Sequence, residues 1–250
     1  MKAILLVVII HGFILGRPAH SAQVSNDHTE VVAARKARDR ASVEALQKAV
    51  ASAREEAART GGFEANLRLA LFEVWLCEAA EAHNNNKLFK QAAQEGVRAA
   101  EKAVELNPQS SDAHQLLGDL LSQLIPHVFG GGMRYGKRST DEMDKAIELD
   151  PKNVNAYVSR AISYYYTPES FGGSKPKALA MLKQAVEIDA LADSPHIWLA
   201  LFYLDARQTD AAAREIDLAR KANPERTFTS YVYRQVEAAA KKSGVQKSSH

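Results

Sequence analysis

The chain has 250 residues, of which 46% are hydrophobic and 25% are charged, and this composition is typical of soluble globular proteins. It carries 32 Lys and Arg residues against 30 Asp and Glu residues, which leaves a formal net charge of +2. Because nucleic-acid binding requires clustered Lys and Arg side chains and no predicted helix face is strongly basic, we expect no nucleic-acid partner.

Residues 1–22 have the pattern of a secretory signal peptide. Lys2 precedes a short apolar run, and small residues follow near the end of the segment. The apolar run is shorter than the roughly 20 residues that a membrane span needs. We therefore expect cleavage after Ser21 or Ala22, an exported protein that is periplasmic or secreted, and no membrane span after removal. Arg17, close to the cleavage site, leaves an uncleaved N-terminal anchor as the alternative.

Residues 23–94 are predicted to form helical pairs that are degenerate repeats. An alanine-rich, charged stretch at 30–60 is predicted as one helix, which ends at two glycines. A more apolar helix is predicted at 63–82, and a third helix follows an asparagine-rich turn and spans 87–107. Cys77 is the only cysteine, so no internal disulfide can form, and its apolar helical surroundings indicate a buried structural thiol.

Three short segments further along the chain are nearly identical, and a fourth is a looser copy of them. These segments span 103–108, 146–151, 185–190 and 219–224. Each begins with alanine, and three of the four end in Asn-Pro or Asp-Pro. Because proline cannot continue a helix, each segment is predicted to be a helix C-terminus. The small residues Gly118, Ala161 and Ala200 follow at one fixed offset, which predicts close helix crossings.

These features resemble the tetratricopeptide repeat (TPR) family, in which a helix–turn–helix unit of about 34 residues has small residues at its helix crossings and a closing proline. The resemblance implies an all-α fold, a TPR-like α-solenoid of antiparallel helix pairs. It places TPR-like repeats at 95–225. A capping helix that ends at Lys242 and a polar tail are predicted within 226–250. The resemblance also assigns eight residues to the second-helix positions of the repeat. They are Met143, Ala146, Ala178, Leu182, Ala185, Ala212, Ile216 and Ala219.

Two glycine-rich inserts, at 125–138 and 167–176, are predicted to lie between the two helices of their units. Each insert contains proline, then phenylalanine, then consecutive glycines, so Phe129 and Phe171 are inferred to hold equivalent positions. The pattern is similar to that of exported bacterial TPR proteins of the TRAP-transporter-associated T-component type. That resemblance implies a groove or channel for a solute-binding protein or a small ligand. Neither insert has the glycine and lysine spacing of a phosphate-binding loop.

The remaining polar residues do not form a known catalytic or metal-binding motif. The sequence contains no HExxH arrangement, no zinc-like cysteine spacing and no GxSxG elbow, so we expect no enzyme activity, no metal site and no cofactor. His114 and His196 hold matching repeat positions, which indicates histidines that pack at helix crossings. His127, together with nearby Lys and Arg residues, leaves an anion site at the first insert as an alternative to a solvated basic loop.

The function predicted from these patterns is non-enzymatic protein–protein interaction, with another envelope protein or a peptide as partner. Stacked repeats present a concave surface that is lined by the first helix of each pair. By repeat register, the contact residues are predicted to be Asp112, Gln115, Asp119, Asn155, Val158, Ile162, Tyr165, Ser194, Ile197 and Leu201. The alternative is a carrier for a small, partly apolar ligand, which the groove, Phe129 and Phe171 would enclose.

Overall fold

The computed structural model describes residues 29–247, with side chains described as far as Lys242. This part of the chain consists of eleven α-helices and two short 3-10 turns, and no β-strand occurs within it. The helices form two compact units, which comprise residues 29–151 and residues 152–247 of the described chain. The predicted all-α fold is therefore confirmed. The predicted signal segment and the last three residues lie outside the described range.

Unit 1 is built from six helices that pack as consecutive neighbours. They are α1 (Thr29–Asp39), α2 (Val43–Thr60), α3 (Phe63–Ala82), α4 (Asn86–Leu106), α5 (Ser111–Leu124) and α6 (Gly131–Leu149). The most extensive packing joins α3 to α4 and α5 to α6, and α3 also contacts α1, α2 and α5. The alternate helices α1, α3 and α5 therefore contact one another in turn. This arrangement is expected when the first helices of successive pairs stack on one another.

The prediction of one helix at 30–60 is wrong, because the chain breaks between α1 and α2. Ala41 adopts a positive φ of 49°, which ends the first helix. Ser42 then caps the second helix, since its hydroxyl oxygen accepts a hydrogen bond from the backbone N–H of Ala45 at 3.4 Å. At the far end, Gly61 takes the left-handed conformation with φ 62°, so the predicted glycine stop is confirmed.

Unit 2 is built from five helices. They are α7 (Val154–Tyr166), α8 (Lys175–Ile188), α9 (Asp193–Asp205), α10 (Thr209–Ala222) and α11 (Thr227–Lys247). Helices α7 and α8 form one pair and α9 and α10 form the next, while α9 also contacts α7, α8 and α11. The closing helix was predicted to end at Lys242, and α11 continues to Lys247 instead.

The second helices α4, α6, α8 and α10 all end in the same way. In each, the backbone N–H of the Asn or Asp cap donates to the carbonyl of the repeat alanine four residues earlier. The four bonds are Asn107 to Ala103 at 2.9 Å, Asp150 to Ala146 at 3.0 Å, Asp189 to Ala185 at 3.0 Å and Asn223 to Ala219 at 2.9 Å. All four alanines are fully buried. The predicted helix C-termini are confirmed, and each alanine marks a close contact with a neighbouring helix.

The predicted close helix crossing at Gly118 is also present. A Cβ atom on Gly118 would lie 2.8 Å from Cγ of Met143 and 2.9 Å from the carbonyl oxygen of Ser139, so only glycine lets α5 approach α6 this closely. The residues assigned to second-helix positions lie on α6, α8 and α10, and the structure buries all of them. They are 0–1% exposed, and they are Met143, Ala146, Ala178, Leu182, Ala185, Ala212, Ile216 and Ala219.

The first insert is only partly a loop, because residues 131–138 form the start of α6. A 3-10 turn at Ile125–His127 leads to Gly130, which has a φ of 68° and reverses the chain. Gly131 then lies against the carbonyl of Ile125 at a distance that leaves no room for a Cβ atom. The chain can therefore turn sharply and continue as helix, where the glycine content had predicted an irregular segment.

The second insert is a loop that also contains a 3-10 turn and a left-handed glycine. A 3-10 turn spans Glu169–Phe171 and ends at Gly172, which has a φ of 91°. In both inserts the phenylalanine directly precedes a left-handed glycine, as equivalent positions predict. Ser174 caps α8, because its hydroxyl oxygen accepts a 3.4 Å hydrogen bond from the backbone N–H of Lys177. This bond fixes the point where α8 begins.

Candidate interaction surface

Six aromatic side chains lie together on α7, α9 and α11 in unit 2. This aromatic row consists of Tyr165, Tyr166, Trp198, Phe202, Phe228 and Tyr231. The rings of Tyr165 and Phe202 stack with centroids 3.6 Å apart and an interplanar angle of 9°. Tyr166 meets Trp198 edge-on at 6.4 Å, and Trp198 lies 6.0 Å from Phe228. The ring of Phe228 in turn lies 6.5 Å from that of Tyr231, so the contacts run from one first helix to the next.

Exposure changes along the aromatic row. Trp198, Phe202 and Phe228 are buried, with 1%, 2% and 6% of their surface exposed. Tyr166 and Tyr231 are 41% and 37% exposed. Buried rings therefore hold the row in place, while Tyr166 and Tyr231 are partly accessible to solvent. Aromatic rings that are packed on one side and exposed on the other are typical anchors of protein interfaces.

A small polar network lies beside the aromatic row. The hydroxyl of Tyr165 donates to Oδ2 of Asp205, and Nζ of Lys175 lies 2.9 Å from the same oxygen. The Lys175 ammonium also lies 4.8 Å from the Tyr165 ring centroid. Burial and the Asp205 carboxylate raise the pKa of Tyr165, and hydrogen bonds from Tyr165 and Lys175 lower the pKa of Asp205. Asp205 is therefore an ionised acceptor at neutral pH.

A buried ion pair supports the other end of the aromatic row. Nη1 of Arg226 lies 3.2 Å from Oδ2 of Asp193, and both side chains are almost fully buried. The guanidinium also lies 5.8 Å from the ring of Phe228. Because Asp193 is the first residue of α9 and Arg226 precedes α11, the pair fixes the start of α11 against α9 and so positions Phe228 and Tyr231.

The contact residues predicted from repeat register differ widely in exposure. In unit 2, Tyr165 and Leu201 are partly exposed. The remaining predicted residues of unit 2 are buried, and they are Asn155, Val158, Ile162, Ser194 and Ile197. In unit 1, Asp112 is partly exposed, whereas Gln115 and Asp119 are buried and hydrogen-bonded to each other. The part that these residues take in binding stays a prediction.

The two inserted phenylalanines are fully accessible. Phe129 is 105% exposed and Phe171 is 81% exposed. Each ring stands on the turn of its own insert, Phe129 in unit 1 and Phe171 in unit 2. Their predicted role in enclosing a ligand stays a prediction.

Five members of the aromatic row were not among the contact residues predicted from repeat register, although the sequence contains a signal for them. Trp198 and Phe202 are four residues apart, and Phe228 and Tyr231 are three apart, so each pair shares one helix face. Tyr166 adjoins the predicted Tyr165. An aromatic pair at helical spacing, repeated in successive first helices, was the available indication.

Cys77 and the two matched histidines have the structural roles that the sequence predicted. Cys77 is fully buried, and burial raises the pKa of its thiol well above the usual range. His114 and His196 are buried, and each contacts a glutamate on the next helix of its own pair. These histidines therefore join the two helices of a repeat unit.

The basic residues of the first insert are engaged in separate contacts. Nζ of Lys137 lies 2.6 Å from Asp141, and Nη1 of Arg138 lies 2.6 Å from Glu101. The His127 ring packs 4.6 Å from the ring of Phe89, and burial together with the charge of Lys90 lowers its pKa. The side chains considered for an anion site therefore point to different partners.

Neither metal ligation nor membrane insertion is indicated by the described residues. Between residues 29 and 247, no three His, Cys, Asp or Glu side chains converge as a metal site would require. In the same range, every helix is too short or too polar to span a membrane.

Comparison with known structures identifies the class of fold. The structure of TTC0263, a TPR protein from Thermus thermophilus, matches with a TM-score of 0.61 and 16% identity, over 84% of this chain and 100% of that one. The HusA haemophore from Porphyromonas gingivalis matches with a TM-score of 0.52 and 23% identity, over 80% of this chain and 94% of that one. No family model and no curated protein matches the sequence. The fold is thus an all-α, TPR-like α-solenoid of antiparallel helix pairs.

Proposed function

We propose that the chain is a non-enzymatic interaction protein that binds an extended segment of another protein through the aromatic row of unit 2. The observation that carries this proposal is the pairing of exposed Tyr166 and Tyr231 with the buried rings of Trp198, Phe202 and Phe228. Buried rings fix the exposed ones, so little side-chain entropy is lost when a partner binds. Tyrosine and tryptophan are also the residue types that contribute most to interface affinity.

The polar network beside the row favours a peptide as the bound species. A peptide backbone offers N–H donors and carbonyl acceptors along its length, and side chains at intervals. The ionised Asp205 carboxylate accepts hydrogen bonds, Lys175 donates them, and the tyrosine rings provide apolar contact. The register-predicted positions Tyr165 and Leu201 lie on the same helices, α7 and α9, and we include them in the proposed contact surface.

Selection from a defined peptide library tests this proposal. The immobilised full chain is used to select from a phage-displayed library of random twelve-residue peptides. We expect enriched sequences that lose binding at least tenfold to the Tyr166→Ala variant. Tyr233→Ala is the control, because this tyrosine lies on α11 outside the aromatic row and packs on Arg220, with its hydroxyl 2.9 Å from Glu237. Equal loss in both variants, or no enrichment on the wild type, would contradict the proposal.

A flat, partly apolar small ligand is the second candidate. Tyr166, which is 41% exposed and meets Trp198 edge-on, offers aromatic surface to a planar ring system. The structural neighbour HusA is named a haemophore, which makes haemin a suitable probe. We expect haemin, under this alternative, to shift its absorbance on binding to the wild type and to bind Tyr166→Ala at least tenfold more weakly. An unchanged haemin spectrum would eliminate haemin as the ligand of this surface.

We also propose that the protein is exported and functions in the cell envelope, as a component of the kind found beside TRAP-type transporters. The signal-like pattern of residues 1–22 and the Phe-Gly-Gly motif of the second insert support this proposal. Intact-mass analysis of the protein from its own cells provides the test. Loss of residues 1–21 or 1–22 is the expected result, whereas a full-length cytoplasmic chain would contradict export.

A further inference from the structure

A cavity in unit 1 lies between α2, α3 and α4, on helices that do not contribute to the aromatic row. Its volume is about 150 Å³. Apolar walls come from Val50, Leu76 and Leu88, and Gln47 and Gln91 contribute amide groups. A wider cleft of about 420 Å³ shares Arg54 and Glu95 as lining residues.

Glu73 is the central polar group of this cavity. Its side chain is 1% exposed, and Oε1 accepts a hydrogen bond from Nη2 of Arg54 at 3.1 Å. The same guanidinium nitrogen binds Glu95. The second carboxylate oxygen of Glu73, Oε2, is buried and has no hydrogen-bond partner within the described residues. A buried acceptor without a partner is costly, so a donor that reached Oε2 would relieve this cost.

The packing of α4 explains how a carboxylate fits here. A Cβ atom on Gly96 would lie 2.9 Å from Cβ of Glu73 and 2.7 Å from Cδ2 of Leu120. Only glycine at this position therefore leaves space for the Glu73 side chain between α3 and α4. The Glu73 side chain occupies space that the absence of a side chain at Gly96 provides. In this it differs from the exposed carboxylates on the surfaces of α2 and α4.

The charges around Glu73 are nearly balanced. Burial raises the pKa of Glu73 to about 7, and the Glu95 carboxylate contributes to this rise. The hydrogen bond from Arg54 and the charges of Arg54 and Arg98 act in the opposite direction and lower the pKa. On α3 itself, Cys77 is the nearby titratable group. At neutral pH, Glu73 is therefore divided between its protonated and ionised forms, and a cation placed beside Oε2 would favour the ionised form.

We propose that this cavity binds a small alkylammonium ion, whose N–H groups donate to Oε2 of Glu73 while its alkyl chain packs on Val50, Leu76 and Leu88. The volume fits a ligand of about five to seven non-hydrogen atoms, since a cavity of about 150 Å³ accommodates benzene. A cation fits better than an anion because two carboxylates already share the Arg54 guanidinium, whereas Oε2 of Glu73 is an acceptor without a partner.

Proton release follows from this binding mode. The ammonium group stays protonated below about pH 10, whereas Glu73 must lose its proton to pair with it. Affinity is therefore expected to rise about tenfold from pH 6 to pH 8, because the ionised fraction of a group with a pKa of about 7 rises by that factor. An ammonium ion that merely contacted exposed carboxylates would show no such dependence.

Calorimetric titration of the full chain with n-butylammonium chloride tests the proposal. We expect saturable binding that is at least tenfold weaker for n-butanol, which has a similar shape and no charge. Glu73→Gln is expected to lose at least tenfold in affinity, and Glu105→Gln, at an exposed carboxylate on α4, is expected to keep it. Ala92→Leu is a second variant, which fills the cavity without changing any charge and is expected to abolish binding.

Three results would overturn the proposal. They are the absence of saturable n-butylammonium binding to the wild type, equal affinity in Glu73→Gln, and equal affinity in a folded Ala92→Leu variant. Because the aromatic row contains none of these residues, failure here leaves the peptide-binding proposal unaffected.

Discussion

The imidazole of His196 bridges the carboxylate of Glu215 and the carbonyl of Ala190. Nδ1 lies 2.7 Å from Oε2 of Glu215, and Nε2 lies 3.3 Å from the carbonyl oxygen. His114 repeats the arrangement in unit 1, at 2.6 Å from Glu142 and 3.0 Å from the carbonyl of Pro108. Since both ring nitrogens face acceptors, both must donate, and the geometry therefore favours the imidazolium form.

This arrangement predicts that part of the stability is lost as pH rises. Burial lowers the pKa of His196, but the hydrogen bonds to Glu215 and Ala190 and the charges of Glu215 and Asp193 together raise it. The folded pKa then exceeds the unfolded value near 6.5, so the contribution is complete below pH 6.5 and disappears as pH rises through the folded pKa. Urea unfolding at pH 6 and pH 9 should show a wild-type advantage over His196→Gln that is larger at pH 6.

Two carboxylate variants on α10 control the histidine experiment. Glu215→Gln should also remove the pH-dependent advantage, because it removes the charge that holds the proton. Asp217→Asn changes an exposed carboxylate on the same helix and should retain the advantage. A wild-type advantage over His196→Gln that is constant with pH would mean that the ring packs in its neutral form.

Replacement of Gly118 by alanine is predicted to destabilise the protein by about 1–3 kcal/mol, because the added Cβ overpacks the crossing of α5 and α6. Gly136→Ala is the matched control, since Gly136 is also helical and a Cβ there would meet no atom within 4 Å. This control should be stabilising by about 0.5–1 kcal/mol. Chemical denaturation measures both changes, and a neutral Gly118→Ala would show that the two helices can separate at no cost.

Ala146→Arg is predicted to cost several kcal/mol. The residue is fully buried, and its carbonyl accepts a 2.7 Å bond from Oγ of Ser111, so a long charged side chain has neither space nor a partner there. Ala58→Arg, at an exposed position on α2, should leave the melting temperature nearly unchanged. An unchanged melting temperature in Ala146→Arg would contradict the repeat register.

Two variants of Tyr165 separate the contributions of its ring and its hydroxyl. Tyr165→Phe keeps the stacking on Phe202 and loses the bond to Asp205, which should cost about 1 kcal/mol of stability or less. Tyr165→Ala also removes the stacked ring and should cost roughly 2 kcal/mol, within the range for truncated aromatic side chains that are partly buried. Equal costs for the two variants would mean that the ring contact stabilises nothing.

The sequence predicted the helix boundaries best where a residue type forces the chain to stop. The helix at 63–82 begins after Gly62 and was predicted with its observed ends, and the four repeat segments end where Asn, Asp and Pro predicted. The break at Ala41 was missed because alanine and charged residues favour helix on both sides of it. Only the capping bond of Ser42 and the positive φ of Ala41 distinguish that point.

The candidate surface was harder to predict because it depends on how helices cross. Residue spacing places Trp198 and Phe202 on one face of α9, but it does not reveal that this face meets Tyr165 of α7. Likewise, the sequence does not reveal where the Glu73 carboxylate lies. Its burial follows from the close approach of α4 at Gly96, which is a property of the packed structure.

Native mass spectrometry of the protein isolated gently from its own cells tests the interaction role most directly. We predict a complex with a second protein for the wild type, loss of that complex in Tyr166→Ala, and its retention in the control Tyr233→Ala. A bare wild-type chain, or an unchanged complex in Tyr166→Ala, would contradict peptide binding through the aromatic row. A bound small molecule in place of a protein would also contradict it and would favour the flat-ligand alternative.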